Sequence, residues 1–259
     1  MLALLKSLYL MLTLRMLFLV SLAIGSTYIC RQLQFFMDLP MSAVVTAIVF
    51  PIVFTINAAY QRRETALVEY GSIKAHGQAL HFAARDWLEV PAPALAEQSK
   101  VHLRGLFTSI EVLLTSSQAV LKKNQTAVYS EFSKLSSFVG LRFRDQGLSS
   151  SELSRVNQYI SKMMASFEVL QAIYQYRTPI SLRIFSDFFI VLLPIIFGPY
   201  FAHLNYGYDS VLAYLPPALF TLVVAALAEI QSHLESPFDQ IGEDDIQLEV
   251  EDYLARLEL

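Results

Sequence analysis

Three residues of one apolar run, Thr46, Phe50 and Phe54, fall four apart, which lines their side chains along one face of a helix. On a single helix such a stripe would face lipid or a neighbouring helix. With several copies around an axis, each position would become a ring of side chains, and two aromatic rings at that spacing would make a narrow hydrophobic constriction of the kind that gates by dewetting. Asn57 continues the run and Arg62 and Arg63 end it, which puts polar groups just beyond the constriction. The remaining groups with chemical capacity do not converge. Arg15, Asn57 and Asp187 are thin material for an intramembrane active site. His76, His81, His102, His203 and His233 are scattered, and His76 and His81, five apart, lie on poorly aligned helix faces. They read as solvated or core histidines rather than metal ligands. The single cysteine, Cys30, excludes an intramolecular disulfide and a paired-thiolate metal box. Without a glycine-rich phosphate loop, an HExxH or a GxSxG motif, the residues give no support to an enzyme.

The elements that would carry these residues are membrane helices. At 259 residues and 54% hydrophobic content, with a mean hydropathy of +0.44, the chain is too apolar for an ordinary soluble domain. Its formal net charge of -4 gives no basic excess for nucleic acid. Four runs, about 7–29, 41–60, 184–204 and 210–227, approach the roughly 20 residues that span a bilayer as a helix. The first is longer than the apolar part of a signal peptide and lacks a convincing cleavage site, so it reads as a span. Pro51, Pro194, Pro199 and the Pro216-Pro217 pair interrupt the others, as membrane helices tolerate where neighbours satisfy the freed carbonyls. Arg62, Arg63, Lys74, Arg177 and Arg183 flank one side of the spans, while the links 31–40 and 203–209 carry one Arg between them. The positive-inside bias then places both termini and the middle of the chain in the cytoplasm.

That middle, 61–183, has helical spacing. Val101, Leu103, Leu106, Phe107, Ile110, Leu113 and Leu114 form one stripe; Leu153, Val156, Ile160, Met163, Met164, Phe167, Leu170 and Ile173 form another. The second opens on Ser149-Ser150-Ser151-Glu152, a capping signal. About four long helices are expected, continuous with the membrane spans, and 92–100, beside Pro91 and Pro93, is expected as an exposed loop. An acidic tail, 229–259, follows the last span, which should leave the bilayer still helical and stop at Pro237-Phe238.

Several of these residues, in order, resemble the bestrophin family. Phe54-Thr55-Ile56-Asn57-Ala58-Ala59-Tyr60-Gln61-Arg62, followed by Gly71, is similar to the family's second-span signature, an aromatic neck leading into Asn-x-x-Tyr-x-Arg and a Gly. Tyr176-Arg177-Thr178-Pro179-Ile180 resembles the opening of the third span in bacterial members, and Ala228-Glu229, Leu234-Glu235, Pro237-Phe238 and Asp244-Asp245-Ile246-Gln247-Leu248 resemble the family's tail. The chain departs from the pattern at Arg63-Glu64, where a Trp pair is usual, at Ser236, where Asp or Asn is usual, and by one inserted residue before the acidic pair.

The resemblance implies an all-α integral membrane protein, one domain over 1–259, assembled as a homopentameric ring around a single pore in a bacterial inner (plasma) membrane. It implies a passive channel for small inorganic ions, with Thr46, Phe50 and Phe54 as the neck, Asn57, Arg62 and Arg63 as polar groups near the pore, and Leu153 near a lower cytoplasmic aperture. No cofactor is expected. Animal members clasp calcium with the equivalent of the acidic tail, and Glu243, Asp244 and Asp245 could supply some of the six to eight oxygens calcium takes. The residues read better as an acidic collar packed on the neighbouring subunit. Ring faces attract cations and ring edges attract anions, so selectivity stays open, with chloride-like anions preferred over cations. A membrane-anchored scaffold whose cytoplasmic helices bind a partner is the competing reading.

Overall fold

A computed structural model describes residues 13–38, 40–176, 180–204, 211–240 and 245–258, and all the regular structure among them is helical. In chain order the α-helices are α1 (Leu14–Gln32), α2 (Met41–Asp86), α3 (Pro93–Thr115), α4 (Leu121–Phe138), α5 (Ser150–Gln175), α6 (Ile180–Ile196), α7 (Gly198–Leu204), α8 (Leu215–Glu235) and α9 (Val250–Arg256). They divide into two compact units: Met1–Tyr60 with Thr178–Glu235, and Gln61–Arg177 with Ser236–Leu259. Helices within Leu14–Gln32, Val44–Asp86, Arg183–Leu204 and Val211–Glu235 are long and apolar enough to cross a membrane. The chain is an integral membrane protein.

In the first unit α1 packs against α6, α7 and α8. The core joins Met16 and Leu19 to Ile48 and Ile52 of α2, Ile190 and Leu193 of α6, and Val224, Ala225 and Ala228 of α8. Lipid tails are as apolar as leucine, so close packing and polar contacts, rather than exclusion of water, hold such helices together. Gly198 is one such contact. A Cβ at that position would lie 3.1 Å from the backbone carbon of Ser26 on α1, with the Ser26 side chain nearer still. The Ser26 hydroxyl donates to the Ile195 carbonyl at 3.3 Å, an acceptor left open because Pro199, four residues on, has no N–H to give it. Pro216 and Pro217 do not break the last span. They fall in the first turn of α8, after a short 3-10 turn (Val211–Tyr214), where the missing N–H has no helical partner to lose.

The second unit has a water-soluble protein's logic. Leu103, Leu106, Phe107, Ile110, Leu113 and Leu114 of α3 are buried, as are Val156, Ile160, Met163, Phe167 and Leu170 of α5, whereas Val101 and Met164 of the two expected stripes are exposed. Each fully buried side chain of this size contributes about 1.5–3 kcal/mol relative to leaving it in water. The lower part of α2, with α3, α4 and α5, supplies the four expected long helices. The expected cap forms: the Ser149 hydroxyl accepts from Glu152 N–H at 3.3 Å and the Glu152 carboxylate accepts from Ser149 N–H at 3.1 Å. The expected loop at 92–100 does not, because Pro93 starts α3 and proline suits a first helical position.

The tail is also more than an acidic collar. Ile246, Leu248 and Val250 are buried while Gln247, Glu249 and Glu251 are exposed, and Phe238, Tyr253, Leu254 and Leu257 complete the insertion into the core of the same unit. Arg104 pairs with Glu251 and Lys100 with Glu258 along α3. The Tyr70 hydroxyl donates to the Leu248 carbonyl, but the buried Tyr253 hydroxyl has no partner among the described residues. Burial pushes the Tyr253 phenol above the ordinary tyrosine range and keeps it protonated. Tyr70→Phe should therefore cost about 1–3 kcal/mol by orphaning a buried carbonyl, while Tyr253→Phe should be neutral or stabilising. Thermal midpoints of the two variants measured side by side check this contrast, and equal losses would contradict it. Gly77 is the floor beneath Tyr253, since a Cβ there would sit 2.5 Å from its hydroxyl oxygen. Gly77→Ala should loosen the tail and Tyr253→Phe should partly rescue it.

Candidate pore-lining face and its flanking polar groups

The upper part of α2 has one packed face and one uncovered face. Taking about 100° of rotation per residue, Ile48, Ile52, Thr55 and Ala59 cluster on one side, and all four are buried. Thr46, Phe50, Val53, Phe54 and Asn57 cluster on the opposite side, and all five are exposed, Phe50 to 59% and Phe54 to 57%. The two rings meet edge to face with centroids 4.4 Å apart and planes at 85°, the geometry their quadrupoles favour. The Thr46 hydroxyl is turned back to the Ser42 carbonyl at 2.6 Å, leaving its methyl group for the stripe. The pattern arises because the apolar residues of this run encircle the helix, while the first unit's core covers only one side.

The polar groups beyond the stripe are differently occupied. Asn57 lies on the uncovered face. Arg62 donates to the Ile173 carbonyl at 2.7 Å and to the Tyr176 carbonyl; both carbonyls are at the end of α5, where a cation also complements the helix dipole. Arg63 pairs with Glu64 at 2.7 Å. Leu153 is 7% exposed and belongs to the second unit's core. Of the acidic trio, Glu243 and Asp244 lie outside the described residues. Asp245 is buried, and among the described residues no three His, Cys, Asp or Glu side chains converge as a metal site.

Two ion pairs in the first unit were not legible as pairs. Arg15 of α1 meets Asp187 of α6 at 2.6 Å. Arg183, one turn before Asp187, lies 3.6 Å from Glu235 of α8, whose carboxylate also accepts from Gln231 at 3.2 Å. The i, i+4 spacing of Gln231 and Glu235 on the buried side of α8 was the available signal; their partner is about 50 residues away along the chain and had none.

No protein-family model matches the sequence, and no curated protein matches it. The solved structures do. A bacterial bestrophin homologue from Klebsiella pneumoniae, carrying a single substitution, superposes with a TM-score of 0.75 at 15% identity, over 94% of this chain and 98% of that one. The fold is the bestrophin fold. A second structure of the Klebsiella pneumoniae bestrophin homologue gives a TM-score of 0.73 at 16% identity, covering 94% and 97% of the two chains. A variant described as a membrane protein gives 0.74 at 14%, covering 95% and 99%. The likeness therefore extends along nearly the whole bestrophin fold, in a chain that shares about one residue in seven with those structures.

Proposed function

We propose that this chain is one subunit of a homopentameric passive ion channel, with Thr46, Phe50 and Phe54 ringing the neck of a single axial pore. The observation that carries the reading is the uncovered aromatic face of α2, set opposite a packed face, in a chain with the bestrophin fold over its length. On a lone span such a face would meet lipid tails, which are as apolar as the rings. Five-fold repetition around an axis would turn it into stacked rings, and Asn57 would give a polar ring next to them.

Chloride-like anions are the proposed cargo, recognised by the positive edges of the rings. Arg62 and Arg63 are engaged with α5 carbonyls and Glu64, so their charges support this preference less than free guanidiniums would. A cation-conducting channel is the second reading, because the same rings can turn their faces to the pore. The positive-inside bias supports cytoplasmic termini in a bacterial inner membrane. Conduction is proposed to need no bound calcium, and a chelator added during recording should leave currents unaltered. Loss of current on chelation would restore the acidic tail as a calcium site.

Native mass spectrometry of the purified chain in detergent tests the assembly. The expected species has five times the 29.2 kDa chain mass. A monomer or dimer would favour the scaffold reading, in which the cytoplasmic helices bind a partner and no pore exists.

A further inference from the structure

In the second unit, α3, α4 and the turn that follows α4 flank an open surface pocket of about 490 Å³, in which Gln98, Ser133, Lys134, Ser137 and Arg142 are all exposed. Its polar lining is one-sided in charge: Gln98, His102, Ser133, Lys134, Ser137 and Arg142 contribute, and no carboxylate does. Lys134 is already paired with Glu131 at 2.7 Å, so the uncompensated charge belongs to Arg142. Among the described residues the Arg142 side chain makes no hydrogen bond or ion pair, and neither do the polar ends of Gln98, Ser133 and Ser137.

The rest of the wall is apolar. Phe138 is buried, with the His102 ring 4.7 Å from it, and burial lowers the His102 pKa, favouring a neutral imidazole that hydrogen-bonds without adding charge. Val101 and Leu141 flank the opening and remain 61% and 66% exposed. Leu141 and Arg142 both come from a π-helical turn, Val139–Phe143. Such turns are rare, and where they occur they frequently mark functional sites, because the extra residue re-aims its neighbours.

We infer that this pocket binds a small carboxylate with an apolar body. The carboxylate takes the Arg142 guanidinium, which presents paired donors to it, with the Ser133 and Ser137 hydroxyls in reach of the same lining. The apolar body covers Val101, Phe138 and Leu141. The site is independent of the channel reading, since none of its residues belongs to the membrane-spanning part of the chain.

Fluorobenzoate is a suitable probe, titrated onto the purified full-length protein in detergent and followed by fluorine NMR line broadening, with fluorobenzamidine as the cationic isostere. Saturable binding of the benzoate, and none of the benzamidine, is expected. Arg142→Gln should weaken binding about tenfold or more through loss of a charge-assisted bond, and Val101→Ser should weaken it without any change of charge. Arg155→Gln, a charge removal on α5 outside the pocket, should leave it unchanged. Because Arg142 holds nothing else in place, the thermal midpoint of Arg142→Gln should match the parent, so lost binding cannot be put down to unfolding. Unsaturable broadening, equal binding of the benzamidine, or undiminished binding by Arg142→Gln would each overturn the site.

Discussion

Replacing Phe50 and Phe54 together by Ala is expected to raise unitary conductance several-fold, or to hold open a pore that otherwise closes. Each subunit would lose two rings from the narrowest proposed level, and a wider, less aromatic passage stays wetted more readily. Thermal stability should hardly change, because both rings lie on the uncovered face of α2 and contribute little to the first unit's core. Phe197→Ala is the informative contrast. Phe197 is fully buried in that core, so its truncation should cost about 3–5 kcal/mol while leaving the conductance of surviving channels near the parent value. Unaltered current and gating in the Phe50→Ala, Phe54→Ala variant would return the stripe to lipid contact or helix packing and remove the neck.

Gly198→Ala should be the most damaging small substitution in the first unit. The added methyl group meets backbone as well as side chain of Ser26, and overpacking a well-filled contact typically costs about 1–3 kcal/mol. Helices in a bilayer gain much of their association from such close approach, so α1 and α7 should separate and the protein should lose thermal resistance in detergent. Ser26→Gly in the same chain should restore part of the loss by removing the side chain, although the backbone carbon at 3.1 Å remains. Gly25→Ala is the control, since nothing lies within 4 Å of a Cβ at that position. Thermal melting monitored by size-exclusion chromatography distinguishes them. Equal behaviour of Gly25→Ala and Gly198→Ala would show that the α1–α7 contact does not limit stability.

Local pattern was legible in the chain, and distant pairing was not. The apolar stripes of α3 and α5, the Ser149–Glu152 cap and the approximate positions of the spans follow from spacing within a few turns, and each is present. Pro93 was misleading because proline marks both loops and helix starts, and only the residues downstream separate the two. The tail hid its packing in a short alternation, Ile246, Leu248 and Val250 against Gln247, Glu249 and Glu251, masked by the density of acids around it. Arg15 and Asp187 each stood out as an ionisable group in an apolar run. Their partnership depends on α1 packing against α6, which no local signal encodes. The same holds for Leu153, whose place in the helical stripe was clear but whose commitment to the core became visible only with its neighbours in place. For the candidate site, the four-residue spacing gave the stripe, whereas its being uncovered is a property of the folded unit.

The most direct test is electrical recording from the purified protein in a planar bilayer under a potassium chloride gradient. Discrete currents that reverse near the chloride equilibrium potential are predicted. Currents reversing near the potassium potential would keep the channel and replace its cargo. A pentamer that inserts and passes no current above bare lipid would contradict the proposed function itself.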